Sequence, residues 1–268
     1  MASIKATSKT RFKKSGKSKP NKKEIFKART TKDVKVRIWA GKAYAECAFS
    51  PLPKGTVISI CDAILSSAGN TWYYFKTSNG HYGFIYSGSV QSVSENAIRF
   101  LSYLNKYHRY IKDNSRWFFY GFMNSVDSFG KAQNRIAKQK KVGITCLVPT
   151  AWALRALGIK RADGKPWVSG NFGSFKDHYT GAVKKYLQRI TKGGPIGKTV
   201  KQAVDAGLLK PGDILAFKDK THTATYSGED YLVFDGGHNS MKDGKYTGIK
   251  ANYENYNHKI SEVLRWRE

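Results

Sequence analysis

The sequence predicts an α+β fold in two parts: a small β-barrel, then a domain whose central helix packs on an antiparallel sheet. Three observations carry that expectation. Short β-rich runs separated by turn signals fill residues 34–92, an apolar run at helical spacing follows Cys146, and a strand-turn-strand meander fills residues 214–235.

At 268 residues the chain exceeds the usual size of one domain, which favours two cores. Hydrophobic residues make up 40% and aromatic residues 13%, enough to fold most of the chain. No apolar run approaches the roughly 20 residues that a spanning helix needs, so no membrane span is expected. Residues 1–33 are rich in Lys, Ser and Thr without periodicity and predict a disordered basic arm. The arm lacks the apolar centre of a secretory signal. Lys and Arg number 47 against 19 Asp and Glu, a net charge of +28, and residues 1–36 hold 13 basic and 2 acidic side chains, or +11 of it. Such an excess predicts attraction to a polyanion: nucleic acid, anionic lipid or wall teichoic acid.

The runs Val34–Ala40, Thr56–Cys61, Thr71–Lys76 and Tyr82–Tyr86 read as strands. Pro53-Lys54-Gly55, Gly69-Asn70 and Ser78-Asn79-Gly80 mark the turns between them. A helix is expected after Ser94, with Ile98, Leu101, Leu104 and Ile111 near helical spacing. The aromatic cluster from Trp117 to Phe122 reads as core, with Tyr120 within reach of a cleft. Gly193 to Thr199 has the look of a phosphate loop, but Lys192 stands at the required first glycine and no strand precedes it, so Gly197-Lys198-Thr199 reads as the entry to a helix over 200–206.

Three cysteines, Cys47, Cys61 and Cys146, form no CxxC pair, so neither a disulfide framework nor a zinc site is expected, and no cofactor. Cys146 directly precedes Leu147, Ala151, Leu154 and Leu157 at helical spacing, with Pro149 in the first turn and Gly158 as the stop. A thiol at a helix N-terminus is favoured as thiolate, and the free N–H groups there can hold an oxyanion. Of six histidines, His222 and His238 lie in β-structured settings with polar neighbours. If Ser227–Asp230 closes a hairpin, Tyr226 opposes Tyr231 and His222 opposes Asp235 on one face, so that the carboxylate orients the imidazole. A one-residue slip would bring His238 instead. Asp213, in a Pro-Gly-Asp turn, reads as structural. His81, His108, His178 and His258 read as surface or packing residues.

Over about 60 residues, VKVRIWAGKAY, LPKGTVISI, GNTWYYFK and NGHYGFIYSGSV stand in the order of a bacterial SH3 domain, which this region resembles. The resemblance implies a binder of wall peptide or wall bridge. From about residue 95, the cysteine of GITCLVPTAWALRALGI, the strand entry LKPGDILAFKD and the segment HTATYSGEDYLVFD resemble the NlpC/P60 peptidases, papain-like enzymes that cut peptidoglycan peptides. Thr145 stands where that family has aspartate, and Leu147-Val148 where it has Ser-Gly. Together the resemblances imply three regions: an arm over 1–33, an SH3-like domain over 34–92 and an NlpC/P60-like domain over 93–268. The expected activity is hydrolysis of stem-peptide amides by Cys146, His222 and Asp235 without metal or cofactor, cleavage beside D-glutamate being favoured over the muramoyl-alanine amidase reaction. The expected setting is the bacterial cell wall, reached as a phage endolysin or virion-borne lysin from the host cytoplasm. The alternative is a non-enzymatic binder of wall polymer or nucleic acid that uses the basic charge.

Overall fold

A computed structural model describes residues 20, 22–159, 175–176, 179–218 and 222–267. The chain forms a mixed α and β structure that divides into two compact units at Glu95 and Asn96.

The first unit is a five-stranded antiparallel sheet. Its strands are β1 Phe26–Thr30, β2 Val57–Leu65, β3 Thr71–Lys76, β4 Tyr82–Tyr86 and β5 Val90–Val93, in the order β4-β3-β2-β1-β5. β1 lies inside the stretch expected to be a disordered arm, and this corrects that boundary; residues 1–19 and 21 of the arm lie outside the described residues. The reason is alternation hidden by charge. Ala28 and Thr30 point inward, while Lys27 and Arg29 lie along the other face, with Lys27 bonded to Ser59 and Arg29 to the Gly55 carbonyl. The expected strand over Val34–Ala40 is also corrected. Val34, Val36 and Ala40 are buried, but the backbone pairs in turn with Leu52, Cys47 and Phe84 rather than with one neighbouring strand. β2 carries a register shift between Ile60 and Asp62, and its inward residues divide accordingly. Ile58 and Ile60 pack with Val36, Phe75 and Ile85, whereas Ile64 packs with Ala40, Trp72 and Phe84.

The second unit opens with α1 Glu95–Asp113, which buries Ala97, Phe100, Leu101, Leu104, Tyr107 and Ile111. There follow β6 Phe118–Tyr120, α2 Phe129–Ala137, β7 Val142–Ile144, α3 Val148–Ala156, α4 Gly181–Tyr186, β8 Leu187–Ile190, α5 Val200–Asp205, β9 Ile214–Phe217 and β10 His222–Tyr226. The chain ends with β11 Leu232–Phe234, β12 Met241–Lys242, β13 Lys245–Tyr246, β14 Lys250–Asn252 and β15 Ile260–Trp266. A six-stranded antiparallel sheet runs β14-β11-β10-β9-β15-β8, and β6 pairs with β7 in parallel. Thr199 caps α5 in a capping box with Gln202, as a loop leading into a helix requires.

α3 is mostly apolar, and Val148 through Leu154 are buried. Gly158, at φ +76°, ends it: Gly158 N–H bonds to the Arg155 carbonyl and Ile159 N–H to the Leu154 carbonyl, each at 2.9 Å. The helix meets the sheet through Thr150 and Thr225, whose hydroxyls lie 3.0 Å apart in the interior. Asp213 is fully buried against Arg265, a structural pair joining the start of β9 to β15. No helix among the described residues is long and apolar enough to cross a membrane.

Candidate active site

Cys146 occupies the junction between β7 and α3, two residues before the first helical residue. The β-strand hydrogen bonds have ended there and no side chain caps the helix; the Val148 N–H bonds the Thr145 carbonyl at 3.1 Å, and Pro149 has no N–H to satisfy. His222 opens β10, paired with Phe217 of β9. Asp235 follows β11 and is wholly buried.

The β10–β11 hairpin differs from expectation in its turn. Thr225 pairs with Phe234 and Tyr226 with Val233, a register two residues along from the expected one. The loop is longer because Ser227 closes it: its N–H and hydroxyl both bond the Leu232 carbonyl, at 3.1 and 2.7 Å, while Gly228 and Asp230 take left-handed backbone. A two-residue slide keeps the parity of the strand. Asp235 therefore stays on the face of His222, diagonally placed instead of directly opposite. Its Oδ2 lies 3.4 Å from His222 Nε2.

Cys146 lies close enough to His222 to act on the ionisation of its ring. Burial opposes a charged ring, but the facing acceptors and negative charge of Asp235, and then of Cys146, outweigh it and push His222 up to about 10. Phe217, Tyr253 and Tyr256 wall the ring at centroid distances of 5.8, 6.3 and 5.9 Å. His238, the alternative third residue, is exposed and set against Tyr120 at 3.8 Å between ring centroids, so Asp235 takes the place beside His222. Burial first, then the charges of Cys146 and Asp235, raise the Tyr120 phenol above the ordinary range.

Four residues that sequence reasoning passed over complete the corner. Tyr253 Oη lies 2.6 Å from His222 Nε2 and 2.9 Å from Asp235 Oδ2. Asn239 Nδ2 donates to Asp235 Oδ2 at 3.0 Å and to Tyr253 Oη at 2.9 Å. Gly237 N–H donates to Asp235 Oδ1 at 2.6 Å. Gly236 is a close approach: a Cβ there would collide with the Thr145 carbonyl oxygen and stand 2.8 Å from Pro149 Cδ. The consecutive glycines after Asp235 were the only readable signal of this crowding, since Tyr253 sits in an Asn- and Tyr-rich stretch that reads as loop. His108, expected to be a surface or packing residue, accepts backbone N–H bonds from Ile249 and Lys250 at Nδ1, at 2.9 and 3.2 Å. Among the described residues no group of three His, Cys, Asp or Glu side chains could hold a metal ion.

A thiol, an imidazole and a carboxylate brought to one corner can generate a sulfur nucleophile and supply it with a proton carrier. No family model matches the chain, and no curated protein matches it. The solved structures similar to it include NlpC2 from Trichomonas vaginalis, at 14% identity and a TM-score of 0.35, covering 91% of this chain and 73% of that one. An NlpC/P60 family protein from Bacillus cereus ATCC 10987 is similar at 12% identity and a TM-score of 0.28, covering 90% of this chain and 63% of that one.

Proposed function

We propose that the protein is a peptidoglycan hydrolase of the papain-like NlpC/P60 type, cutting amide bonds of cell-wall stem peptides with Cys146 as nucleophile. The observation that carries this reading is a partly buried imidazole 3.4 Å from a wholly buried carboxylate, with a sulfur at a helix onset near enough to act on the ring. The Cys146 thiolate attacks the amide carbonyl carbon, and the positive end of α3 favours the oxyanion. The His222 imidazolium gives its proton to the departing amine, leaving a thioester on Cys146. Water, deprotonated by His222, then attacks the thioester and releases the acid and the thiolate. Asp235 sustains the charged imidazole throughout.

Cleavage beside a D-glutamyl residue is the preferred form of the reaction, by the sequence resemblance, over amide cleavage between glycan and peptide. The first unit serves as an SH3-like wall-binding module. It holds a cavity of about 790 Å³ with Tyr44, Trp72 and Tyr86 in its lining and Lys32, Arg37 and Lys42 among its polar groups. Arg37 is paired with Glu46, whereas Lys32 and Lys42 are exposed and have no ionic partner among the described residues. Aromatic surface beside free cations suits a wall polymer that carries anionic groups, such as teichoic acid. A wall-binding unit joined to a wall-cutting unit suits a phage lysin, acting at the bacterial cell wall.

Purified peptidoglycan tests the reading. Cys146→Ala is expected to sediment with walls as the parent does and to lose turbidity clearing. A variant that still clears walls overturns the assignment. The non-enzymatic alternative predicts binding to wall polymer or nucleic acid and no clearing by either protein.

A further inference from the structure

We propose that Tyr253 is the positioning residue of this site: its hydroxyl is the direct acceptor for His222 Nε2–H, and it fixes the tautomer that leaves Nδ1 for Cys146. The inference rests on the reading of Cys146 and His222 as the working pair.

The hydrogen positions follow from counting donors. A carboxylate only accepts, and an amide nitrogen only donates. Asp235 Oδ1 takes the Gly237 N–H, and Oδ2 takes the Asn239 amide at 3.0 Å. The short contact between Tyr253 Oη and Asp235 Oδ2 must therefore use the tyrosine's one proton. Having spent that proton, Oη can only accept, and it accepts from Asn239 Nδ2 at 2.9 Å. Its remaining contact, 2.6 Å to His222 Nε2, then requires the hydrogen to be on the ring nitrogen. In the neutral ring Nε2 is protonated and Nδ1 is bare, the form needed to take a proton from sulfur. The direct distance from Nε2 to Asp235 Oδ2, 3.4 Å, exceeds the usual range for an N–H···O bond, so the carboxylate acts on the ring mainly through the hydroxyl and through its charge.

The setting supports a fixed phenol. Tyr253 is 1% exposed, and its ring lies 4.1 Å from that of Tyr256. Burial, followed by the Asp235 charge, raises its ionisation far above the ordinary tyrosine range, so it stays a donor to Asp235 at every working pH. The titratable groups facing the imidazole are Cys146 from the α3 junction, Asp235 after β11, and Tyr253 and Tyr256 from the segment after β14.

Long-range ¹H–¹⁵N spectra of the histidine ring nitrogens test this on the full chain. Cys146→Ala removes the thiolate so that the neutral ring can be observed, and the neutral His222 is expected to carry its hydrogen on Nε2. A neutral ring protonated on Nδ1 overturns the proposal, and this measurement needs no change at Tyr253. With Cys146 intact, Tyr253→Phe is expected to lower kcat about 10²-fold with KM nearly unchanged, and the Tyr253→Phe, Cys146→Ala protein is expected to lose the Nε2–H preference. Unchanged ring spectra in that double variant also overturn it. The outcome is separable from the functional reading, which fails instead if Cys146→Ala still clears walls.

Discussion

The corner around His222 and the groove of the first unit carry polar groups in opposite ways. Around His222 the carboxylate has no exposed surface, and each of its oxygens is engaged: Oδ1 by the Gly237 N–H, Oδ2 by Tyr253 and Asn239. In the groove, Lys32 and Lys42 stand in solvent. A buried network has one low-energy arrangement, and removing a member leaves another unsatisfied, so its parts act as a unit. Exposed cations act nearly independently and are screened by salt. The first design suits bond-breaking, which needs atoms held in place; the second suits retention on a polymer.

The sharpest way to break that contrast is at Asp235. Asp235→Asn removes the charge that holds the His222 proton and alters the acceptor of the Tyr253 hydroxyl, and a loss of about 10³-fold in kcat is expected. The pH profile gives the sign. In the proposed mechanism the imidazolium protonates the leaving amine, so the rate is expected to fall as pH rises through the folded value of about 10, far above the 6.5 of a free histidine. In Asp235→Asn that alkaline limb is expected at lower pH. An alkaline limb near 6.5 in the parent protein would show that the corner does not hold the proton as described.

Next in size is Gly236→Ala. The added methyl meets the backbone oxygen of Thr145, which cannot rotate away, and the Pro149 ring behind it. Overpacking of this kind costs about 1–3 kcal/mol, measurable as a lowered denaturant midpoint. Because Thr145 adjoins Cys146, activity should fall by more than the loss of folded protein accounts for. Gly69, where a Cβ would meet nothing within 4 Å, is a poor control because its φ is +77°. Gly130→Ala, in open space on α2, is the better one and is expected to be neutral or stabilising.

How far this corner was legible in the sequence follows from the range of the interactions. Cys146 before its helix, and the strands of His222 and of β9, show in local patterns of apolar spacing and turn residues. Asp235 was reached by a hairpin register two residues off, and it survived because strand parity depends on even or odd count alone. Tyr253 and Asn239 reach the site from 31 and 17 positions beyond His222, through a loop and a short 3₁₀ turn that carry no periodic signal. In the first unit the failure ran the other way. Lys27 and Arg29 made β1 look like part of a disordered tail, although Ala28 beside them is completely buried, because long basic side chains can lie over a sheet and keep their charge in water.

His108 extends the buried side of the comparison to stability. Burial first, then Lys250, Lys112 and Arg109, lower its ionisation below the ordinary 6.5, as an acceptor of two backbone N–H groups requires. Above 6.5 both folded and unfolded chains hold a neutral ring, and the contribution is complete. As pH falls below 6.5 the unfolded chain binds a proton that the folded chain resists, so stability declines toward the folded value. His222 adds no slope there, because its raised value places its own loss of stability between 6.5 and about 10 on the alkaline side. His108→Asn keeps an acceptor for Ile249 without titrating, and it is expected to flatten the decline in unfolding midpoint between about pH 6.5 and 5.

The smallest effects are expected at the open groove. Lys32→Ala and Lys42→Ala each remove an exposed cation from the groove that Tyr86, itself 43% exposed, also lines. Neither side chain orders a neighbour, so folding should be unaffected and wall retention should weaken about two- to five-fold per substitution, as expected for a solvated charge. The two losses should multiply in the double variant, and both should shrink as salt rises and the screening length falls below about 10 Å. Retention on teichoic-acid-bearing walls, compared with walls stripped of that polymer, separates this from general stickiness. If the double variant loses far more than the product of the singles, the lysines are coupled as tightly as the groups around His222, and the distinction between a fixed corner and an additive surface does not hold.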